Sequence, residues 1–406
     1  MSKHMYRTIV LASFVIFFMI LLISFPDQAL NASVRGLNMW LEVVFPSLLP
    51  FFILAELFIA FGVVHFFGTL LEPLMRPIFN VPGTGSFALI IGMASGYPVG
   101  AKICVRLREE NELSQIEAER LISFTNAASP LFIFGAISVG FFQNPQLGIL
   151  IASCHYLGNI IVGILMRFYG SSKKKYDTDV KRDTLQTNIL HDALKAMHNA
   201  RRKDGRVFGK LLGDALLSSI QTLVIVGGFI IIFSVLNELL FTIGIAKIIG
   251  AFLSIFLVIF QLPTDLNIPL LAGLFEITSG VEKISQLIQQ PLLAKLVIVS
   301  FILGFNGFSV QAQVMSLMTS TDIRFKPYFF ARMIHGFISS LLTVLLYQLL
   351  YEKQQTVNIS DVETFHTQTF TYWEEILCIL KTIGPPITLI TIGLGVIIYW
   401  QQRVKH

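Results

Sequence analysis

This chain consists of long apolar runs separated by short polar segments. Residues 8–25 contain no charged side chain, and about 20 helical residues cross the hydrocarbon core of a bilayer. Inside a bilayer the backbone must satisfy its own hydrogen bonds, which only helices and closed barrels do. The pattern therefore predicts an all-α polytopic membrane protein. The predicted spans are residues 8–25, 37–64, 114–142, 147–169, 211–236, 293–319, 328–350 and 376–400.

The composition indicates that the chain is surrounded by lipid rather than by water. Of its 406 residues, 54% are hydrophobic and 14% are charged, whereas soluble domains carry about 25% charged residues. The net charge of +5 lies in loops, so it bears on membrane orientation and lipid phosphates rather than on nucleic acid. The first run also fits a signal peptide cleaved near Ala29 or Ala32, but its length and the spans that follow favour a transmembrane helix.

The sequence carries no signature of an enzyme, a cofactor or a metal site. It lacks a Walker A motif, HExxH, GxSxG and paired carboxylates on one helix. Its three cysteines, Cys104, Cys154 and Cys378, are widely spaced in or near apolar runs, which fits packing residues rather than disulfides or zinc ligands. We therefore expect a non-enzyme that has no cofactor.

Two apolar segments, residues 81–107 and 262–289, contain Gly, Pro and polar residues near their middles. An amphipathic stretch precedes each of them, at residues 66–79 and 243–260. Backbone that leaves the helix at membrane depth is tolerated only where protein or a wet cavity satisfies it. The two segments therefore predict re-entrant hairpins, in which glycines such as Gly92, Gly96 and Gly100 let the chain turn at the tip. The second amphipathic stretch is apolar enough to span, so the number of helices stays open.

Charge in the loops predicts the orientation of the chain. Residues 171–210 carry eleven Lys or Arg and five Asp, and residues 351–375 carry five acids and one Lys. Positive loops stay in the cytoplasm, so the basic loop, with partial disorder, and both termini are predicted to be cytoplasmic. The predicted organisation is a first transmembrane helix with a short outer loop (1–35), a first repeat (36–170), the basic loop (171–210), a second, inverted repeat (211–350), a non-cytoplasmic loop (351–375) and a last helix (376–406).

The two halves carry similar residues 180 positions apart. Asn126 and Ser129 match Asn306 and Ser309, Gly100 matches Gly280, and His155 matches His335. The predicted span before the first hairpin crosses from the outside to the inside, and its counterpart in the second half, residues 211–236, crosses from the inside to the outside. Inverted repeats with interrupted apolar segments at matching places indicate a secondary transporter whose substrate site lies between the repeats.

The candidate site residues lie at the hairpin tips and at the helix breaks, where half-helix ends direct partial charges at a substrate. Amides and hydroxyls there bind freed backbone or ligand, although they also serve as contacts between membrane helices. The substrate-binding candidates are Ser95, Gly96, Gly100, Lys102, Thr125, Asn126, Ser129, Thr278, Ser279, Asn306 and Ser309.

Four ionisable residues are candidates for a charge-related role. Lys102 would supply counter-charge to an anion, or would snorkel to the cytoplasmic interface like Arg106 beside it. Glu276 is a candidate coupling acid, because an ionisable group at membrane depth is a functional hypothesis by default. His155 and His335 are candidates for a proton relay, with hydrogen-bonded packing as the alternative.

The order of helix, amphipathic helix, hairpin, broken helix and helix resembles the Gate-domain superfamily. That group includes the concentrative nucleoside transporters and the membrane part of the ferrous iron transporter B. The string GFNGFS at residues 304–309 is similar to the polar break in the second broken helix of the nucleoside transporters. The sodium-binding and nucleoside-binding motifs of those transporters are not clearly present, so the resemblance implies neither ligand.

Longer strings resemble the sporulation integral membrane proteins of YlbJ type, a family also called stage V sporulation protein V. They are FPSLLPFFILAELFIAFGVV, LLEPLMRPIFNVPG, GMASGYPVGAKI and AERLISFTNAASPLFIFGAISVGFF. The resemblance implies an endospore-forming bacterium, expression in the mother cell and a place in the outer forespore membrane. It also implies transport of dipicolinate towards the spore.

Two functional hypotheses remain. One is a carrier for a small anionic metabolite, dipicolinate by resemblance, with membrane lipid, a coupling proton or sodium ion and a homo-oligomer as compatible partners. The other is a non-transporting scaffold for assembly of the spore envelope or cortex. A polar cavity where Asn126, Glu276 and Asn306 converge would favour the carrier, and a dry, closed centre would favour the scaffold.

Overall fold

A computed structural model describes residues 3–170 and 189–352, and in them every regular element is a helix. The chain divides into two compact units, Met1–Tyr347 and Gln348–His406, and the described residues of the second are a π-helical segment, Gln348–Glu352. The α-helices are α1 (Lys3–Ser24), α2 (Pro26–Met39), α3 (Phe45–Ala60), α4 (Val63–Phe79), α5 (Gly85–Ser95), α6 (Val99–Glu109), α7 (Gln115–Thr125), α8 (Leu147–Met166), α9 (Ile189–Asp204), α10 (Phe208–Thr242), α11 (Ile245–Ile259), α12 (Asn267–Phe275), α13 (Ile277–Gln286), α14 (Leu292–Phe305), α15 (Gly307–Met318) and α16 (Phe325–Tyr347).

The length and apolarity of the helices confirm an all-α polytopic membrane protein. In the described residues, four helical spans are long and apolar enough to cross a membrane, or six if two bent pairs each count as one. The four are α8, α10, α14 with α15, and the helix that begins at Phe325. The bent pairs are α1 with α2, at 101°, and α3 with α4, at 80°. Many large apolar side chains are exposed, such as Ile23 and Leu217, as expected of a surface that faces lipid.

The two interrupted segments form helical hairpins. Helices α5 and α6 pack against each other, as do α12 and α13, and each pair is too short for two spans. The amphipathic stretches before them form α4 and α11. Gly96, with a φ of 91°, makes the turn of the first hairpin, a conformation that glycine adopts without steric cost.

The other glycines of the first hairpin have a different role from the predicted one. Gly92 and Gly100 lie inside α5 and α6, where a Cβ on Gly92 would stand 2.9 Å from the Cα of Gly100. Gly273 and Gly280 meet in the same way in the second hairpin. These glycines therefore let the two arms of each hairpin approach closely, instead of turning the chain.

Both predicted helix breaks are present. Helix α7 ends at Thr125, and a π-helical segment, Leu131–Phe141, continues after the break. Helix α14 ends at Asn306, which has a φ of 73°, and α15 begins at the next residue. At the other end of α7, Ser114 and Glu117 form a capping box that sets the start of the helix.

Three segments differ from the sequence predictions. The residues after α1 form α2, where a short loop is predicted, and the backbone remains helical through a π-helical turn, Trp40–Val44, up to Ala60. The predicted basic loop contains α9, which packs against α4. Its apolar residues recur at helical spacing among the charges, and Ala193 is buried. The predicted last span, residues 376–400, lies outside the described residues.

Candidate functional site

The two helix breaks meet at fully buried amides. The Nδ2 of Asn306 donates to the backbone oxygen of Asn126 at 3.2 Å and to the Oη of Tyr328 at 3.1 Å. The Nδ2 of Asn126 donates to the same hydroxyl at 2.8 Å. All three residues are fully buried. The predicted convergence of Asn126 and Asn306 is therefore present, and Tyr328 joins the two halves of the chain between them.

Arg332 is the buried cation of this region, and we call Asn126, Asn306, Tyr328 and Arg332 the crossing cluster. Its guanidinium donates to the backbone oxygens of Asn126, at 2.9 Å, and Ser123, and to Oδ1 of Asn159 at 3.0 Å. Within the described residues no carboxylate pairs with it. A helix C-terminus has unpaired carbonyls and attracts cations, so Arg332 satisfies the broken end of α7.

The two predicted histidines are in direct contact. The ring centroids of His155 and His335 are 4.8 Å apart, and both residues are fully buried. The Nε2 of His155 accepts from the backbone N–H of Ala128 at 2.9 Å, and the Nε2 of His335 lies 2.8 Å from the backbone oxygen of His155. The first contact holds backbone at the first break and the second joins α16 to α8, so both rings have packing contacts, and a proton relay stays a prediction.

The tip of the first hairpin packs against the first break. Gly96 lies beside Ser129, whose hydroxyl accepts from the backbone N–H of Phe132 at 3.2 Å. Tyr97, next to the tip, donates to the backbone oxygen of Leu303 at 2.9 Å and so reaches the second half. The hydroxyl of Ser95 is buried without a hydrogen-bond partner in the described residues.

The side chain of Thr125 also lies at the first break. Its hydroxyl is 3.2 Å from the Sγ of Cys104 in α6. The backbone oxygen of Thr125 lies so close to Gly92 and Gly100 that neither position has room for a side chain. The first hairpin and the end of α7 therefore form one packed unit.

The acid at the tip of the second hairpin, Glu276, is bound by backbone of the same hairpin. The carboxylate of Glu276 accepts from the backbone N–H groups of Thr278, at 3.0 Å, and Ser279, at 2.7 Å, and so caps α13. These hydrogen bonds of Glu276 stay within its own hairpin, whose tip packs near Gly307 at the second break. A role of Glu276 in coupling stays a prediction. At the second break, the hydroxyl of Ser309 accepts a 3.5 Å hydrogen bond from Gln313.

Lys102 lies in the first turns of α6 and forms a partly buried ion pair. Its Nζ is 3.1 Å from Oε1 of Glu56 in α3 and donates to the Oγ of Ser218 in α10 at 3.3 Å. Ser218 in turn donates to Glu56 at 3.0 Å. We call these three residues the Lys102 triangle. The ammonium also lies 4.9 Å from the ring centre of Phe52. The ammonium of Lys102 therefore lies among protein groups, and snorkelling to an interface stays an alternative.

A polar cavity of about 400 Å³ opens beside this triangle. The charged residues that line it are Glu56, Lys102, Arg106, Glu109, Arg206 and Asp214, and Ser218 lines it as well. Small-molecule sites have volumes of roughly 300–1,000 Å³, so the cavity is large enough for a small metabolite. The crossing cluster, in contrast, is packed and closed.

The sequence reasoning missed Tyr328, Arg332, Glu56 and Ser218. For Arg332 and Glu56 a signal was present, because each is an ionisable residue inside an apolar run, which is a functional hypothesis by default. Tyr328 and Ser218 carry no such signal, because their importance comes from partners about 200 and 116 residues away. In the described residues no group of three or more His, Cys, Asp or Glu could hold a metal ion.

Comparison with known proteins gives a family match, a relative over nearly the whole chain and weaker similarities to solved structures. Residues 41–142 match the Gate family, described as nucleoside recognition. The chain is 50% identical to the sporulation integral membrane protein YlbJ of Bacillus subtilis, over 98% of this chain and 97% of that protein. Its fold is similar to solved structures of CNTnw. An outward-facing state has a TM-score of 0.42 and an inward-facing, substrate-bound state 0.41, both at 12% identity over 83% of this chain and 86% of theirs.

The helical architecture and the matched domain define a multi-pass, all-α membrane protein with a Gate domain. Within that class, the identity over nearly the whole chain shows the family. The chain belongs to the YlbJ family of sporulation integral membrane proteins.

Proposed function

We propose that this protein is a secondary carrier that moves dipicolinate, a small dianion, from the mother cell towards the forespore. The membrane would be the outer forespore membrane, with both chain termini in the cytoplasm of the mother cell. The observation that carries the proposal is the polar cavity of about 400 Å³ that Lys102 borders beside a hairpin tip. A lysine in a partly desolvated cavity attracts a carboxylate more strongly than one in water.

The packed crossing cluster fits the same function. A carrier that alternates access must close one side of its substrate site while the other side is open. Tyr328 contacts the amides of both helix breaks, Arg332 holds carbonyl oxygens at the first break, and both side chains are fully buried. The closed centre would be the barrier, and the cavity would be the open side.

The arrangement of the halves as inverted repeats is part of the proposal. A two-fold axis in the membrane plane brings equivalent residues together where it passes through the molecule. Asn126 contacts Asn306, and His155 contacts His335, each pair 180 residues apart. The hairpins would then be re-entrant, and the hairpin-bearing part would move against a frame that includes α3 and α10.

A non-transporting scaffold for assembly of the spore envelope is the second candidate. The observation that favours it is the closed centre, since Asn126, Asn306, Tyr328 and Arg332 are fully buried. Such packing would also suit a protein that only positions partners in the membrane.

Uptake of radiolabelled dipicolinate into proteoliposomes separates the two candidates. The purified full chain is compared with Lys102→Met and with Lys283→Met, a lysine of α13 that lies 5.4 Å from the ring of Phe241 and outside the cavity. We expect saturable uptake in the wild type and in Lys283→Met, and at least a tenfold loss in Lys102→Met, which removes a charge-assisted contact worth about 1.5–3 kcal/mol. Absence of uptake under imposed proton and sodium gradients, from folded protein, would favour the scaffold.

A further inference from the structure

We propose that Glu56 is a built-in competitor of the substrate, holding Lys102 in the empty protein and giving way to a substrate carboxylate. Exchange at Lys102 would release the first hairpin from α3. This inference rests on the proposed function, because it assumes that the ligand of the cavity is a small carboxylate. It adds a residue, Glu56, and a reason why movement of the hairpin requires the substrate.

The Lys102 triangle ties three elements together at one point. Lys102 belongs to the hairpin arm α6, Glu56 belongs to α3, and Ser218 belongs to α10. Its three contacts are 3.0–3.3 Å long, and each joins a different pair of helices. Loss of the carboxylate from this triangle therefore removes two of its three contacts, including the ion pair that links α6 to α3, and leaves the hydrogen bond from Lys102 to Ser218 in α10.

The carboxylate of Glu56 has the position that a ligand would take. The side chains of Lys102 and Glu56 are 14% and 18% exposed, and both border the cavity. A second carboxylate at Lys102 would stand close to that of Glu56, and like charges at such distances in a desolvated site repel by several kcal/mol. Ligand and Glu56 therefore exclude each other at Lys102.

The other cations of the cavity have partners that do not link the hairpin to α3. Arg106 pairs with Glu109 and Glu110, within its own helix and the residue after it. Arg206 pairs with Asp204 and Asp214, just before and within α10. An anion that binds these arginines would leave the hairpin attached. Among the described ion pairs of the cavity, only the pair of Lys102 and Glu56 would link binding of a ligand to release of the first hairpin from α3.

Two measurements on the purified full chain test the exchange. The first is the equilibrium binding of radiolabelled dipicolinate to wild type, Glu56→Gln and Lys102→Met. Glutamine keeps the shape of Glu56 and removes the charge that competes, so we expect Glu56→Gln to bind at least about tenfold more tightly than the wild type, and Lys102→Met at least tenfold more weakly.

The second measurement is hydrogen–deuterium exchange in α6, with and without dipicolinate. In the wild type we expect dipicolinate to increase exchange in α6, and in Glu56→Gln we expect this increase without ligand. Glu238→Gln is the matched control, because Glu238 forms a 2.7 Å ion pair between α10 and α2 away from the cavity. It should leave both binding and exchange in α6 unchanged.

The outcomes separate this inference from the function on which it rests. If neither the wild type nor Glu56→Gln binds dipicolinate, the proposed function fails and the inference fails with it. If the wild type binds and Glu56→Gln binds equally or more weakly, Glu56 belongs to the binding site or to the packing, and only the inference is overturned. Tighter binding without faster exchange in α6 would likewise overturn the release step.

Discussion

At the scale of single residues, the buried polar groups of the crossing cluster take partners from the other half of the chain. The hydroxyl of Tyr328 accepts from amides of both helix breaks, and Arg332 satisfies carbonyls of α7. A buried polar group without a partner costs about 1–3 kcal/mol. Each of these side chains therefore stabilises one arrangement of the two breaks and disfavours others.

Substitution of Tyr328 by Phe tests this at the crossing cluster. The variant keeps the ring and removes the hydroxyl, so the Nδ2 of Asn126 loses its partner and Asn306 loses one of two. We expect the free energy of unfolding to fall by about 1–3 kcal/mol, measured by denaturant titration in micelles. Tyr156→Phe is the matched control, because that hydroxyl serves one carbonyl, that of Ala128. Equal losses in the two variants would contradict a special role of Tyr328.

Substitution of Glu276 separates a cap from a coupling acid. Glu276→Ala removes both acceptors at the start of α13 and should lower stability by about 1–2 kcal/mol. Glu276→Gln keeps an acceptor and should lose less. Thermal unfolding of the purified variants gives the comparison. If Glu276→Gln leaves stability unchanged but alters the proton dependence of uptake, the acid acts in coupling instead.

At the scale of elements, each hairpin depends on small residues where its arms meet. Gly92 and Gly280 face the backbone of Gly100 and Gly273 in the other arm at distances that a Cβ cannot occupy. The contact needs glycine because no other residue lacks a Cβ, and the arms would otherwise separate. Close packing of the arms positions the tips, and with them Ser95 and Glu276.

Alanine substitutions test the close approach of the hairpin arms. We expect Gly280→Ala to lower the yield of folded protein severely, because the new methyl group would overlap the backbone of Gly273 and overpacking costs about 1–3 kcal/mol or more. Gly228→Ala in α10 is the control, since open space surrounds that position, and it should be tolerated. Size-exclusion profiles of the two variants provide the measurement. A normal profile for Gly280→Ala would contradict this packing.

At the scale of the whole molecule, ion pairs outside the apolar spans join the first half to the loop before α16. Arg108, at the end of α6, pairs with Asp322 at 2.8 Å, and Arg324 pairs with the buried carboxylate of Glu119 at 2.8 Å. Hydrogen bonds from Arg108 hold the pKa of the Asp322 carboxyl below its ordinary value. The depressed pKa means that the folded state favours the charged form.

The contribution of Asp322 to stability should therefore depend on pH. A depressed folded pKa gives stability that is present above the unfolded pKa and is lost as the pH falls through the folded one. Asp322→Asn should be less stable than the wild type at neutral pH, and the difference should shrink below about pH 4. Unfolding midpoints across this range provide the measurement. A difference that is constant with pH would show that the charge is not responsible.

Much of the fold could be predicted because its signals are local. Apolar runs of spanning length, amphipathic stretches before interrupted segments, and polar residues at Asn126 and Asn306 each reflect what a short stretch of backbone needs in a bilayer. The helix α9 was missed because its charges dominate a loop in which the apolar residues at helical spacing are few.

The site depended on tertiary structure to a greater degree. The sequence by itself determined the helical class, the two hairpins and the positions of the two breaks, since those follow from hydropathy and from glycine and proline within a few residues. Only the tertiary structure decided that Tyr328 and Arg332 close the centre, that Glu276 caps its own helix, and that Lys102 pairs with Glu56. These contacts depend on which side chains meet after the helices pack. Some of the residues are about 200 positions apart, and no local sequence pattern predicts that they touch.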